Sequence, residues 1–418
     1  MKVGYLIVIG LLLIQCSNAQ QTKPVDWTTD LDYLAKELPE KHYNLFTVRS
    51  KEEFLSGLNA VKSRSVGVTT LTMALMLQQL IARFGDSHTH VNLGPHVDKS
   101  QILPLQLEWF KDGLYIFRTT PENDAILGQQ IIAVNDVPLK TIMDSLGTLT
   151  SRDNQSVVKN VIPDLLPLVQ VLQYFGFVHD QKIVLGLKDS SGKTSQGAIR
   201  PATMNRTNRK TYVIDTVALC FQNPQLFFLY RYLPADRIFY LQYNKCWSKE
   251  LEVKYGNALN AEKLPSFNEF EDRVFHTLKT EPANKIIVDL RFNEGGNSEQ
   301  GTLFIQKLNT YLRDHPQVKP YVIIGRLTFS SAILNAMDLK QLPNVVFVGE
   351  ETAGKPNHFG ELRSFRLPVS GIEISYATKY FKRSDQNEDT ITPDVTLEPT
   401  FTEFSKGIDP AYEWIRKQ

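Results

Sequence analysis

Ser330 stands where the apolar run Tyr321-Val-Ile-Ile-Gly gives way, through Arg326-Leu-Thr-Phe, to a helical pattern over 330–339. A serine at a strand-to-helix turn has an exposed hydroxyl beside free N–H groups and the positive end of the helix dipole, which suits a nucleophile. A helix N-cap is the commoner reason for a serine at such a place. Two residues offer themselves as its general base. Lys355, in Gly349-Glu-Glu-Thr-Ala-Gly-Lys-Pro-Asn, lies past a helix and a returning strand, so the chain can bring it back beside Ser330. A lysine base must be desolvated and its pKa lowered by several units from ~10.4. His88, in Phe84-Gly-Asp-Ser-His-Thr-His, is the second candidate; an imidazole titrates near ~6.5 and needs little tuning. The base stays open between them. A further segment, Asp289-Leu-Arg-Phe-Asn-Glu-Gly-Gly-Asn, is a strand that ends in a glycine pair before a helix. Such glycines let the backbone turn N–H groups toward an oxyanion, although a glycine pair after a strand is also ordinary loop punctuation.

The elements that must carry these residues fall into three textures. Leu31, Leu34 and Leu38, then Leu71, Leu75, Leu77, Leu80 and Ile81, give a helical spacing between about Trp27 and Phe84, broken at Asp86 and Ser87 before a strand at 90–92. From about 102 to 187 paired strands are expected at Leu103–Trp109 and Gly113–Phe117. Gly128-Gln-Gln-Ile-Ile-Ala-Val-Asn-Asp-Val-Pro-Leu resembles the signature stretch of a PDZ domain, and equally fits a plain hairpin with an Asn-Asp turn. Residues 154–177 would be an insertion into such a module, and the polar stretch 190–210 a linker or long hairpin loop. From about 237, strands at 238–243, 285–290, 321–325 and 345–349 alternate with helices at 267–279, 301–312 and 330–339, with a hairpin across Pro368-Val-Ser-Gly. That alternation predicts an α/β core with a partly parallel sheet.

Taken in this order, Asp-Leu-Arg-x-Asn-x-Gly-Gly, Thr328-Phe-Ser-Ser-Ala, Gly349-Glu-Glu-Thr-Ala-Gly-Lys, Leu367-Pro-Val-Ser-Gly and Thr392-Pro-Asp resemble the tail-specific, or C-terminal processing, serine protease family, which includes the tricorn core and the repeats of interphotoreceptor retinoid-binding protein. The resemblance runs from about His88 to Trp414. It implies a multidomain α+β, α/β chain: a signal peptide at 1–19, a helical N-terminal domain at 20–98, a degenerate PDZ-like domain at 99–200 and a ClpP/crotonase-like α/β peptidase core at 201–418. It puts Ser330 on the nucleophile, Lys355 on the base of the Ser–Lys branch, and Gly296 with the Ser331 amide on the oxyanion hole. In the tricorn branch His88 would be the base, Ser87 would orient it, and Glu388 is the nearest carboxylate to complete the set, one residue off its spacing to Pro393. Pro356 replaces the usual glycine after Lys355. Arg291 and Asn293 are assigned structural roles. The implied activity is hydrolysis of extended or C-terminal peptide segments, captured by strand addition to the PDZ-like part; a non-catalytic binding protein on the same scaffold is the alternative.

Composition agrees with an enzyme of this kind and removes others. Lys plus Arg number 46 against 45 Asp plus Glu, which leaves no single-sign field for nucleic acid or an anionic membrane. Three cysteines in 418 residues exclude a disulfide scaffold. The uncharged run Val3–Ile14 is too short to span a bilayer and is followed by Ser17-Asn-Ala, which predicts a secretory signal cut after Ala19 and a secreted or periplasmic chain. Cys16 directly after the run leaves a lipoprotein reading, weakened by Gln15. Cys220 and Cys246 could pair or remain buried thiols. His88, His90 and His96 lie close in sequence, but no cofactor or metal site is expected, since no further ligand motif accompanies them. His42, His179, His276, His315 and His358 read as surface or satisfied core residues.

Overall fold

The computed structural model describes residues 26–151, 153–214 and 216–418. The expected signal peptide and Cys16 lie outside the described residues. The N-terminal helical stretch is three helices: α1 (Trp27–Lys41), α2 (Lys51–Ser63) and α3 (Thr70–Ala82). Asp26, Ser50 and Thr69 cap them by accepting backbone N–H groups of the first turn. α3 is apolar almost all round, and it is buried all round. Met73 and Leu77 join the core of α1 and α2, while Leu71 and Leu75 join the core of the sheet that follows.

A short strand β1 (His90–Val91) comes next, then β2 (Leu105–Phe110), β3 (Gly113–Thr119), β4 (Gln130–Val134) and β5 (Val137–Pro138). The Asn135-Asp136 turn between β4 and β5 has φ of 47° and 64°, the left-handed geometry of a tight hairpin turn. Helix α4 (Leu139–Leu146) follows, and the expected insertion folds as α5 (Gln155–Leu165) and α6 (Val169–Tyr174). β6 (Ile183–Lys188), β7 (Thr194–Ile199) and β8 (Lys210–Thr211) complete a seven-stranded sheet. The stretch 190–210, expected as linker or loop, thus contains a paired strand; β7 is an exposed edge, so its polar residues show no apolar alternation. β2 is the opposite edge, and the insertion lies against it: α5 packs on β2, and Ile102 forms an isolated bridge with Leu168.

The remainder alternates: β9 (Phe228–Leu233), β10 (Ile238–Tyr243), α7 (Lys249–Tyr255), α8 (Phe267–Thr280), β11 (Lys285–Asp289), α9 (Glu299–Asp314), β12 (Lys319–Ile324), α10 (Ser331–Leu339) and β13 (Val346–Gly349). The hairpin β14 (His358–Arg366) and β15 (Glu373–Phe381), the strand β16 (Val395–Thr396), and helices α11 (Phe401–Ser405) and α12 (Pro410–Lys417) end the chain. β16-β13-β12-β11-β10-β9 form one sheet, parallel except for β9. α8, α9 and α10 cover one face through Phe270, Val274, Leu308 and Ile333; α12 covers the other through Ala411 and Ile415. β1 pairs antiparallel with β15, which stitches the N-terminal helices to the C-terminal half of the chain. Cys220 and Cys246 are both buried free thiols.

Candidate active site

Two loops at the carboxyl ends of adjacent parallel strands build the centre. After β11 the chain turns through Asn293, whose amide donates to the Tyr243 carbonyl at 2.8 Å and whose Oδ1 accepts the Gly295 N–H at 2.9 Å. After β12 the turn is pinned by Thr328, whose hydroxyl donates to the Leu290 carbonyl at 2.9 Å and accepts the Gly325 N–H at 3.1 Å. Phe329 N–H donates to the Asn293 carbonyl at 3.0 Å, so the two loops are locked together. Gly295 is glycine of necessity. Its φ is +103°, and a Cβ there would stand 2.8 Å from Ser330 Cβ and 2.9 Å from the Ser331 nitrogen.

Ser330 itself has φ 53° and ψ −124°, a strained conformation for a residue with a side chain. Its side chain caps no helix N–H, so the ordinary N-cap reason for a serine there does not apply. The hydroxyl instead lies 3.0 Å from His88 Nε2. His88 reaches this position because the β1–β15 pairing delivers the segment just before β1 to the β14–β15 hairpin. The imidazole is sandwiched between Phe329, stacked at 4.6 Å, and His358, stacked at 5.7 Å, and is 3% exposed. Burial, against the pull of Asp86, pushes its pKa down to about 4.

The Ser331 hydroxyl donates to the Gly296 carbonyl at 2.8 Å, which brings the two residues together. Among the described residues neither amide donates to a backbone acceptor. The Ser331 amide, at the N-terminus of α10, and the Gly296 amide, in the loop before α9, thus remain available to an anion.

The other expected site residues go elsewhere. Lys355 Nζ pairs with Asp153 Oδ1 at 3.0 Å and makes no hydrogen bond to Ser330. Ser87 does not hold His88; the turn sends its hydroxyl to Asp153 Oδ2, at 2.7 Å. Burial raises the Asp153 carboxyl above the usual carboxylate range, against the pull of Lys355 and the Ser87 hydroxyl. Glu388 sits in the loop after β15, half-buried, with no hydrogen bond or ion pair to His88 or Ser330 among the described residues. Arg291 pairs with Asp289 and Asp409 at 2.9 and 2.8 Å, a structural role like that of Asn293. His90 turns its Nδ1 toward the His88 carbonyl, and among the described residues no three His, Cys, Asp or Glu side chains gather as a metal site.

The sequence reading missed three neighbours. Asp86 accepts the His88 backbone N–H on Oδ1 at 2.9 Å, and its Oδ2 faces His42 Nε2 at 3.0 Å and the Thr89 hydroxyl at 2.5 Å. It lies inside the quoted Gly-Asp-Ser-His segment, so its type and place were visible. His42 and Asp153 carry no local signal. Asp153 belongs to a strap before α5. Along it Ser151 donates to the Thr89 carbonyl at 2.8 Å, and the Asn154 amide donates to the carbonyls of Thr352, Ala353 and Asp389 at 2.9, 3.0 and 2.7 Å. The strap therefore grips both the His88 segment and the loop that packs on Phe329 and Ile333.

A cavity of about 780 Å³ opens between β2, α5 and the carboxyl ends of β11, β12 and β13. Leu105, Trp109, Phe221 and Phe292 give it apolar walls, with Arg326 and Glu350 among them. Phe292 and Leu327 place it against the same two loops that carry Gly296 and Ser330.

Residues 263–397 match peptidase family S41. Among solved structures, mature CPAF complexed with lactacystin superposes with a TM-score of 0.61 at 13% identity, over 93% of this chain and 96% of that one. Mature CPAF alone gives 0.57 at 12%, over 93% and 95%. At such identity these likenesses speak for the fold. No curated protein matches the chain in sequence. The segment that matches peptidase family S41, residues 263–397, is the one that carries Gly296, Ser330 and Lys355.

Proposed function

We propose that this serine peptidase works through Ser330 as nucleophile and His88 as general base, with the Gly296 and Ser331 amides as oxyanion hole. The observation that carries the assignment is the 3.0 Å approach of His88 Nε2 to Ser330 Oγ. The neutral imidazole accepts the hydroxyl proton on Nε2 as Oγ attacks a peptide carbonyl. The carbonyl oxygen gains negative charge between the two amides. The imidazolium then returns the proton to the leaving amine, and water repeats the cycle on the acyl-enzyme. Burial favours the neutral ring, so the base is ready at neutral pH.

The substrate is an extended peptide or unfolded segment, drawn through the cavity beside the two catalytic loops. β2, an edge strand, lines this cavity along its whole length, which supports capture of the peptide by strand addition there. The uncharged run and small residues at the N-terminus support export, as a secreted or periplasmic chain. Labelling with a fluorophosphonate tests the assignment. The wild-type protein is expected to label, Ser330→Ala and His88→Asn to fail, and Lys355→Met to label; labelling of His88→Asn at the wild-type rate would refute the base.

A further inference from the structure

His88 presents a problem that its pairing with Ser330 creates. To accept the Ser330 proton on Nε2, the neutral ring must carry its own proton on Nδ1. That nitrogen is buried and, among the described residues, has no hydrogen-bond partner. A buried donor left unpaired is costly, and a ring with no partner on Nδ1 has its tautomer unfixed. Asp86 Oδ1 lies 3.9 Å from Nδ1.

Asp86 is set up to receive it. Its carboxylate is 5% exposed, and Oδ1 accepts only the His88 backbone N–H, so it retains accepting capacity on the side facing the ring. The other oxygen is held by His42. Asn44 N–H donates to His42 Nδ1 at 3.0 Å, so the proton of a neutral His42 must sit on Nε2, 3.0 Å from Asp86 Oδ2. Thr89 adds a second donor to the same oxygen. Burial alone would raise the Asp86 carboxyl. The His42 hydrogen bond, the neighbouring His88 charge and the Thr89 and His88 donors outweigh it and hold it below the usual carboxylate range. His42 in turn packs edge-on against Phe359 at 5.1 Å and is 5% exposed.

We propose that Asp86 is the positioning residue for His88, taking the Nδ1–H hydrogen bond as the site tightens on substrate, and that His42 keeps the carboxylate aimed. Catalytic hydrogen bonds are often long in an empty site and shorten in the complex. The chain His42–Asp86–His88–Ser330 puts the third member two residues before the base. This assignment rests on the Ser330–His88 reading.

The test uses the full chain and the pH dependence of Ser330 phosphonylation by a fluorophosphonate. In that step Ser330 Oγ bonds to phosphorus, fluoride leaves and the hydroxyl proton passes to His88. Asp86→Asn is expected to slow phosphonylation by ~10²- to 10⁴-fold, as loss of a tautomer-fixing carboxylate does, with the inhibitor's binding constant nearly unchanged. Its acid limb should also move to lower pH, because the charge that favours imidazolium is gone. The other titratable groups facing His88 are His90 on its own segment and His358 on β14, and both remain in the variant. A structural loss would lower the amount of active protein without moving the limb. If Asp86→Asn does not fold, His42 decides. His42→Phe keeps the packing on Phe359 and removes the donor, and is expected to lose ~10-fold; His42→Gln, which restores an N–H donor, should recover most of it. Equal loss in both His42 variants, or an Asp86→Asn protein with the wild-type rate or an unmoved limb, overturns the proposal. Wild-type labelling of His88→Asn would instead overturn the reading beneath it.

Discussion

His88 and Lys355 approach the same serine region from opposite ends of the chain, and their surroundings differ in the one respect that matters for a base. His88 is 3% exposed, stacked between two rings, with one nitrogen on the serine. The Lys355 side chain is 20% exposed and spends its charge on Asp153. An amine turned to Asp153, with no hydrogen bond to Ser330, is not placed to take the serine proton, whereas the His88 imidazole is. The lysine's place in a matching motif is therefore a different matter from its chemistry. Here the same position joins the Asp153 strap to the loop that packs against Phe329 and Ile333 through Gly354.

That contrast can be broken in several ways. The largest effect is expected from Ser330→Ala, which should lower peptide hydrolysis by ~10⁴-fold or more with the fold intact; substantial turnover in that variant would remove the nucleophile from Ser330. His88→Asn should cost nearly as much, ~10³- to 10⁴-fold. Lys355→Met should leave the rate per folded molecule within ~10-fold while lowering the melting temperature, because it strands a buried Asp153 carboxyl. Measured rates and melting curves separate the two, and reversal of this order would return the base to Lys355. Gly296→Ala comes next. A Cβ at φ +134° would stand 2.3 Å from the Cys246 carbonyl, so the loop must shift and the oxyanion amide with it. A loss of ~10²- to 10³-fold in kcat is expected, as for one lost oxyanion donor.

The smallest effects lie in pH. If His88 is the base as proposed, hydrolysis needs its neutral ring, and the acid limb of kcat/KM should fall at a pH of about 4 rather than near the ordinary imidazole value. Stability follows the same group. Its folded pKa lies below the unfolded value of 6.5, so between those points the unfolded chain binds more protons. The fold then loses up to about 3 kcal/mol as pH falls from 6.5 to about 4. A limb near 6.5 would mean that His88 is more solvated than its packing implies.

Much of the scaffold around Ser330 could be read from the chain alone, because buried parallel strands are continuous apolar runs and their ends carry glycines. Ile286 to Leu290, Tyr321 to Ile324 and Phe347 to Gly349 are of this kind. What could not be read is whatever depends on distant pairing. Nothing local says that His90 will pair with Ser375, yet that register is what delivers His88. His42 looked like a satisfied core histidine, and it is one; what the spacing hid is that it is satisfied by the carboxylate beside the base. Ser87 and Glu388 were placed by likeness to a pattern, and side-chain direction in a turn and a loop does not follow from likeness. β7 escaped notice because an exposed edge strand buries little and so leaves no alternation.

The strap before α5 has a consequence for the order of events at the ribosome and beyond. It closes the site with contacts that span 198, 199 and 235 residues of chain, and the Ser330–His88 contact itself spans 242. Closures of that length come late in folding, after local helices and hairpins. A growing chain with its first half folded holds His88, Asp86 and Asp153 but has neither Ser330 nor the Gly296 loop. Hydrolytic power thus arrives only when the last third of the polypeptide has been made and docked, so an unfinished chain cannot cut itself.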